Sequence, residues 1–140
     1  MNVDELLYEK PTHRLVGSGN YKGIDWYILN NNGRYPLAYV QVYADSLTVP
    51  ISKINELVNG GITYGYDYDG YCYWNEEDTR KYIGWDYGHF GDYCNCDGLR
   101  DFMDKKWTYN EIRKQIFDVI DLIVKSKEEW EKMGKRQKND

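Results

Sequence analysis

The chain has 140 residues, 41% of them hydrophobic, and a formal net charge of −5. That length sets one domain with a real core as the expectation, and no apolar run nears the roughly 18 residues a bilayer span needs, which excludes a membrane protein. Acidity is concentrated: residues 60–98 carry 2 basic and 8 acidic side chains, whereas 99–140 carry 11 and 9. Phosphate backbones are gripped by clustered Lys and Arg, so direct nucleic-acid binding is excluded for that central stretch. The aromatics are skewed, with 15 Tyr and 5 Trp against 3 Phe. Tyr and Trp carry a polar handle and favour places where one end is buried and the other wet. Eight of the 15 tyrosines fall between Tyr64 and Tyr93, inside the acidic stretch.

Val3–Tyr8 is a short helix or an arm. Tyr21–Asn30 (YKGIDWYILN) is rich in β-formers, Asn32-Gly33 signals a tight hairpin turn, and Leu37–Tyr43 resumes the alternation. Residues 21–43 therefore read as a β-hairpin. After Pro50, Ile51, Ile54, Leu57 and Val58 recur at helical spacing, and Gly60 supplies a stop. Tyr64, Tyr66 and Tyr68 alternate up to Asp69-Gly70, then Tyr71 and Tyr73 continue, which predicts a second hairpin over 62–74. Tyr82–Tyr87 (YIGWDY) is a further strand, and Gly88–Gly98 an ordered loop. Thr108 and Glu111 have capping-box spacing ahead of Ile112, Ile116, Val119, Ile120 and Ile123, one face of a long helix. The expected fold is α+β: an antiparallel sheet of about five strands, a short middle helix, and a long C-terminal helix packed on one face. Residues 1–133 form that domain and 134–140 a polar tail.

Asp86, His89 and Asp92 lie three apart across a strand end and a Gly-rich loop. Two carboxylates and an imidazole at one locus suit divalent-metal or acid–base chemistry, or else bond the loop's own backbone amides. Tyr64, Tyr66, Tyr68, Tyr71 and Tyr73 form either a wet face that stacks on a flat ligand or a protein partner, or a stripe that stabilises its own hairpin. The acids beside them (Asp67, Asp69, Glu76, Glu77, Asp78) fit a basic partner better than a phosphate. Cys72, Cys94 and Cys96, an odd count without a secretory signal, read as reduced thiols. With His89 they make four zinc donors on paper, but the C-x-C spacing is off-pattern. Asp67-Tyr68-Asp69-Gly70 fails as a calcium loop, Gly17-Ser18-Gly19 fails as a phosphate loop, and His13 is incidental.

Gly60-Gly61-Ile62-Thr63-Tyr64, followed by Ile83-Gly84-Trp85-Asp86 with His89, Gly91 and Asp92, resembles a family of small phage and prophage proteins. Their pattern is HGGLTY, an aromatic-rich stretch, then WIGFD-x-x-H-x-GD. Ala38–Val42 matches its preceding strand and Trp107-Thr108 its following helix. One departure stands out: Asn59 occupies the position of the pattern's His. The resemblance covers roughly residues 21–123. It implies a phage or mobile-element origin and a bacterial host cytoplasm, and carries no assigned reaction.

Two classes of function follow. The first is a binding protein without cofactor or metal, a counter-defence factor that occupies a host defence protein or sequesters a small nucleotide signal. Its contact residues are Gly61, Thr63, Tyr64, Tyr66, Tyr68, Trp85, Asp86, His89 and Asp92, with Tyr64, Trp85 and His89 walling the nucleotide pocket. The alternative is a small metal-assisted hydrolase using Asp86, His89 and Asp92. Oligomeric state is open in both.

Overall fold

A computed structural model describes residues 2–9, 14–42, 51–64, 81–95 and 104–138. Its elements in chain order are α1 (Val3–Leu6), β1 (Arg14–Tyr21), β2 (Ile24–Asn31), β3 (Tyr35–Val42), α2 (Ile51–Asn55), β4 (Lys81–Asp86) and α3 (Tyr109–Lys138). The strands form one antiparallel sheet in the order β1-β2-β3-β4. The class is α+β, as the sequence leads one to expect, with four strands where five were anticipated. Three of the anticipated strands are β2, β3 and β4; β1 was not anticipated, and the hairpin expected over 62–74, which would supply two more, lies outside the described residues beyond Tyr64. What is described of that segment is a bridge in which Tyr64 and Gly84 exchange backbone hydrogen bonds at 3.2 and 3.0 Å.

The Asn32-Gly33 turn forms as its sequence requires. Both residues have positive φ, and the Arg34 amide donates to the Asn31 carbonyl at 3.0 Å. The strand before it, however, begins later than the β-rich run indicates. Tyr21 closes β1, and Lys22-Gly23, also at positive φ, turns the chain into β2. β1 itself (RLVGSGNY) is poor in β-formers. Its glycines serve packing: a Cβ at Gly17 would fall on the Tyr109 ring, and one at Gly19 on the Trp26 indole.

Alternation along the strands divides the sheet into two faces. Ile24, Trp26, Ile28, Ala38, Val40, Val42, Ile83 and Trp85 are buried on the inner face. α3 lies across β2 and β3 and meets them with Ile112, Ile116, Val119, Ile120 and Ile123, all buried. The helix starts in the capping box that Thr108 and Glu111 announce. The Thr108 amide donates to Glu111 Oε1 at 3.0 Å, and the Glu111 amide to Thr108 Oγ1 at 3.3 Å. It continues to Lys138, through the stretch expected to be a polar tail. A mid-helix glycine costs only about 1 kcal/mol relative to Ala, and Gly134 is flanked by good helix formers.

α2 and the turn after it bury Ile54 and Val58, and Gly60 and Gly61 both have positive φ. Among the described residues no helix is long and apolar enough to cross a membrane.

Candidate functional site

The two halves of the motif meet in space. β4 ends at Asp86, and the following loop doubles back so that the Asp92 amide donates to the His89 carbonyl at 2.9 Å. The Asp92 side chain is buried and takes three donors. Asn59 Nδ2 reaches its Oδ2 at 2.6 Å, the His89 amide reaches the same oxygen at 3.0 Å, and Trp107 Nε1 reaches Oδ1 at 3.0 Å. One carboxylate thus ties the α2 turn, the β4 loop and the approach to α3. The Asn59 amide in turn donates to Gln115 Oε1, which also accepts from the Tyr87 hydroxyl at 2.7 Å. That hydroxyl accepts from Trp85 Nε1 at 2.8 Å.

Asp86 sits on the outer side of the sheet. Its Oδ1 accepts from the Gly88 amide at 3.0 Å, and its Oδ2 lies 3.4 Å from Thr63 Oγ1. His89 Nδ1 is shielded from solvent between the two carboxylates, 3.4 Å from Asp86 Oδ1 and 3.6 Å from Asp92 Oδ2. The imidazole covers the place where a Cβ at Gly60 would stand. Gly60 therefore needs to be glycine twice over, for its φ of 69° and for that ring.

Gly61 caps the same turn, with its amide 3.3 Å from the Val58 carbonyl. The amide of Gly61, one of the expected contact residues, is committed to the turn. Trp85 does not share a pocket with Tyr64 and His89: it points to the inner face, 1% exposed, because its position on β4 alternates with Gly84 and Asp86. Tyr66 and Tyr68 lie outside the described residues, as do Cys72, Cys96 and His13. Cys94 is disulfide-bonded, which corrects the expectation of three reduced thiols and removes its sulfur from the four-donor zinc arrangement. Among the described residues no three His, Cys, Asp or Glu side chains stand together as a metal set.

The outer face carries the other candidate surface. Leu15, Tyr27, Leu29, Tyr39, Tyr64 and Tyr82 line an open cavity of about 510 Å³. Tyr27 and Tyr82 meet edge-on at 5.7 Å between ring centroids, Tyr39 and Tyr64 at 5.8 Å. Gly84 makes room for this arrangement, since a Cβ there would strike the Tyr39 ring. Burial holds the Tyr39 phenol above its ordinary range, and Tyr64 and Asp86 nearby act in the same direction. Tyr64 and Leu15 are largely exposed.

No family model, no curated protein and no solved structure matches this chain.

The structure sets Thr63 beside Asp86 and His89 between Asp86 and Asp92, and places Tyr64 in the tyrosine-lined cavity. Sequence reasoning missed Tyr27, Tyr39 and Tyr82 as partners of Tyr64, although Tyr27 and Tyr39 alternate with core residues and so had to face outward. It also missed Phe90, fully exposed at the tip of the loop that Asp92 fastens.

Tyr87 gives the network a pH dependence. Burial pushes its phenol far above the usual tyrosine range, against the lowering effect of the Trp85 donor; Tyr8 is raised by burial as well. In the unfolded chain both ionise near pH ~10. Above that pH the native state binds more protons than the unfolded one, so stability falls as pH rises toward the folded values. The urea midpoint should drop steadily above about pH 10, and Tyr87→Phe should flatten the drop. An equally steep fall in Tyr87→Phe would remove Tyr87 as a source.

Proposed function

We propose that this chain is a binding protein of the phage accessory kind, which works by occupying a host protein, a defence factor being the class of target. The observation that carries this reading is the tyrosine-lined cavity on the outer face of the sheet. Contiguous exposed apolar surface marks interaction sites, and tyrosine is enriched among the residues that dominate interface energies. The resemblance of the glycine and aspartate motifs to phage and prophage proteins supplies the setting, a bacterial host cytoplasm.

The other readings draw less support. A nucleotide signal would find rings to stack on, but the described lining is four tyrosines and two leucines, with nothing to neutralise a phosphate. The hydrolase needs Asp92 as a ligand or a base, and its two oxygens already accept three hydrogen bonds.

The test is biological. The chain is expressed in a bacterial host that carries a defence system, and the host is challenged with a phage sensitive to that defence. Wild type should restore plaques. A Tyr39→Ala, Tyr64→Ala double variant with an unchanged circular-dichroism spectrum should not. A cavity variant as effective as wild type would sink the proposal, and so would a wild type that restores plaques against no defence tried.

A further inference from the structure

We infer that the tyrosine cavity takes a cation, an arginine side chain of the partner protein, held against the ring faces and paired with the Asp86 carboxylate. This deepens the binding reading above and rests on it.

Three observations converge. First, the two edge-on pairs, Tyr27 with Tyr82 and Tyr39 with Tyr64, bring four phenol rings around one open space. The face of an aromatic ring is electron-rich, and a cation within about 6 Å of its centroid is attracted, by more when water is displaced. Second, a carboxylate stands beside those rings. Asp86 on β4 pairs with Leu37 of β3, two residues along β4 from the Gly84 on which Tyr39 rests, and acts electrostatically on the Tyr39 phenol. It accepts hydrogen bonds from Gly88 and Thr63, and an ionised carboxylate has about four acceptor sites, so a guanidinium N–H still finds a place. Third, among the described residues the chain makes the same kind of contact at other rings. Lys22 lies over Tyr21, Lys105 over Trp107, Lys106 over Tyr8 and Tyr93, and Arg113 over Tyr109 and Phe117.

The charge pattern of the sequence agrees. The stretch from 60 to 98, which contributes Tyr64, Tyr82 and Asp86, carries 8 acids against 2 bases. A stretch of that net charge favours the approach of a basic segment over that of a phosphate. Arginine fits better than lysine because its planar guanidinium stacks on phenol faces while its edge pairs with a carboxylate.

The experiment is a titration of the full chain, with tyrosine rings isotopically labelled for NMR, with acetyl-Gly-Arg-Gly-amide. The citrulline counterpart, equal in shape and uncharged, is titrated alongside. The arginine peptide should shift the Tyr39 and Tyr64 ring resonances saturably, and the citrulline peptide should bind about tenfold more weakly or not at all. Tyr64→Leu keeps the apolar contact, removes the ring face, and should weaken arginine binding by about tenfold. Asp86→Asn retains an oxygen for the Gly88 amide and should weaken arginine binding while reducing its dependence on salt.

Equal binding of the citrulline peptide would overturn the inference. So would arginine binding indifferent to Tyr64→Leu, or no saturable shift at all. In each of those cases a plaque assay that still depends on Tyr39 and Tyr64 would leave the wider binding reading standing. Loss of that dependence would remove both.

Discussion

Asp92→Ala is expected to lower the unfolding free energy by about 3–4 kcal/mol. The carboxylate accepts from Asn59, from the His89 backbone and from the Trp107 indole, and its side chain is 7% exposed. Removing it strands three donors from three separate segments, and each stranded buried donor costs about 1–3 kcal/mol before relaxation. Water entering the small gap recovers part of that. Asp86→Ala is the control: it loses one backbone bond of good length on a more exposed residue and should cost only about 1 kcal/mol. Urea unfolding measures both. If the two variants proved equally stable, Asp92 would not be the fastening point described above.

Trp85→Ala should cost about 3–5 kcal/mol, the range found when a large aromatic is cut from a packed core. The indole is 1% exposed, and its Nε1 donates to the Tyr87 hydroxyl. The variant opens a void under β4 and leaves that hydroxyl without its donor. Thermal and urea unfolding should both show the loss. The contrary result is a stable Trp85→Ala protein that fails only in the plaque assay, which would return Trp85 to the ligand-contacting role that its place in the motif invites.

Trp85 also illustrates what the sequence made legible. The strand 82–87 could be read from its residues, and so could the five isoleucine and valine positions of α3, because both rest on short-range periodicity. The side of the sheet on which Trp85 falls could not, because that depends on pairing with β3 and on where α3 lands. β1 escaped detection for a related reason. Its glycines weaken every local strand signal, and they are there for the rings of Tyr109 and Trp26, one of them more than 80 positions along the chain. At the site, the spacing of Asp86, His89 and Asp92 pointed to the right locus. Asn59, Gln115 and Trp107 complete it from distant segments, and only the folded chain brings those hydrogen bonds together.

The order of the sheet carries a consequence for how the protein assembles. β1, β2 and β3 follow one another through short turns, so their pairing closes small loops. β4 reaches β3 only after residues 43–80 have been gathered in, and the entropy lost in closing a loop grows with its length. The three-stranded meander therefore zips up early, and β4 docks late and leaves first. Tyr27 and Tyr39 are in position on the meander from the start, whereas Tyr82 arrives with β4 and Tyr64 with its bridge to Gly84. The tyrosine cavity is thus among the last features to form, and a chain that has lost β4 to partial unfolding has lost two of the four rings that line it while keeping three of its four strands.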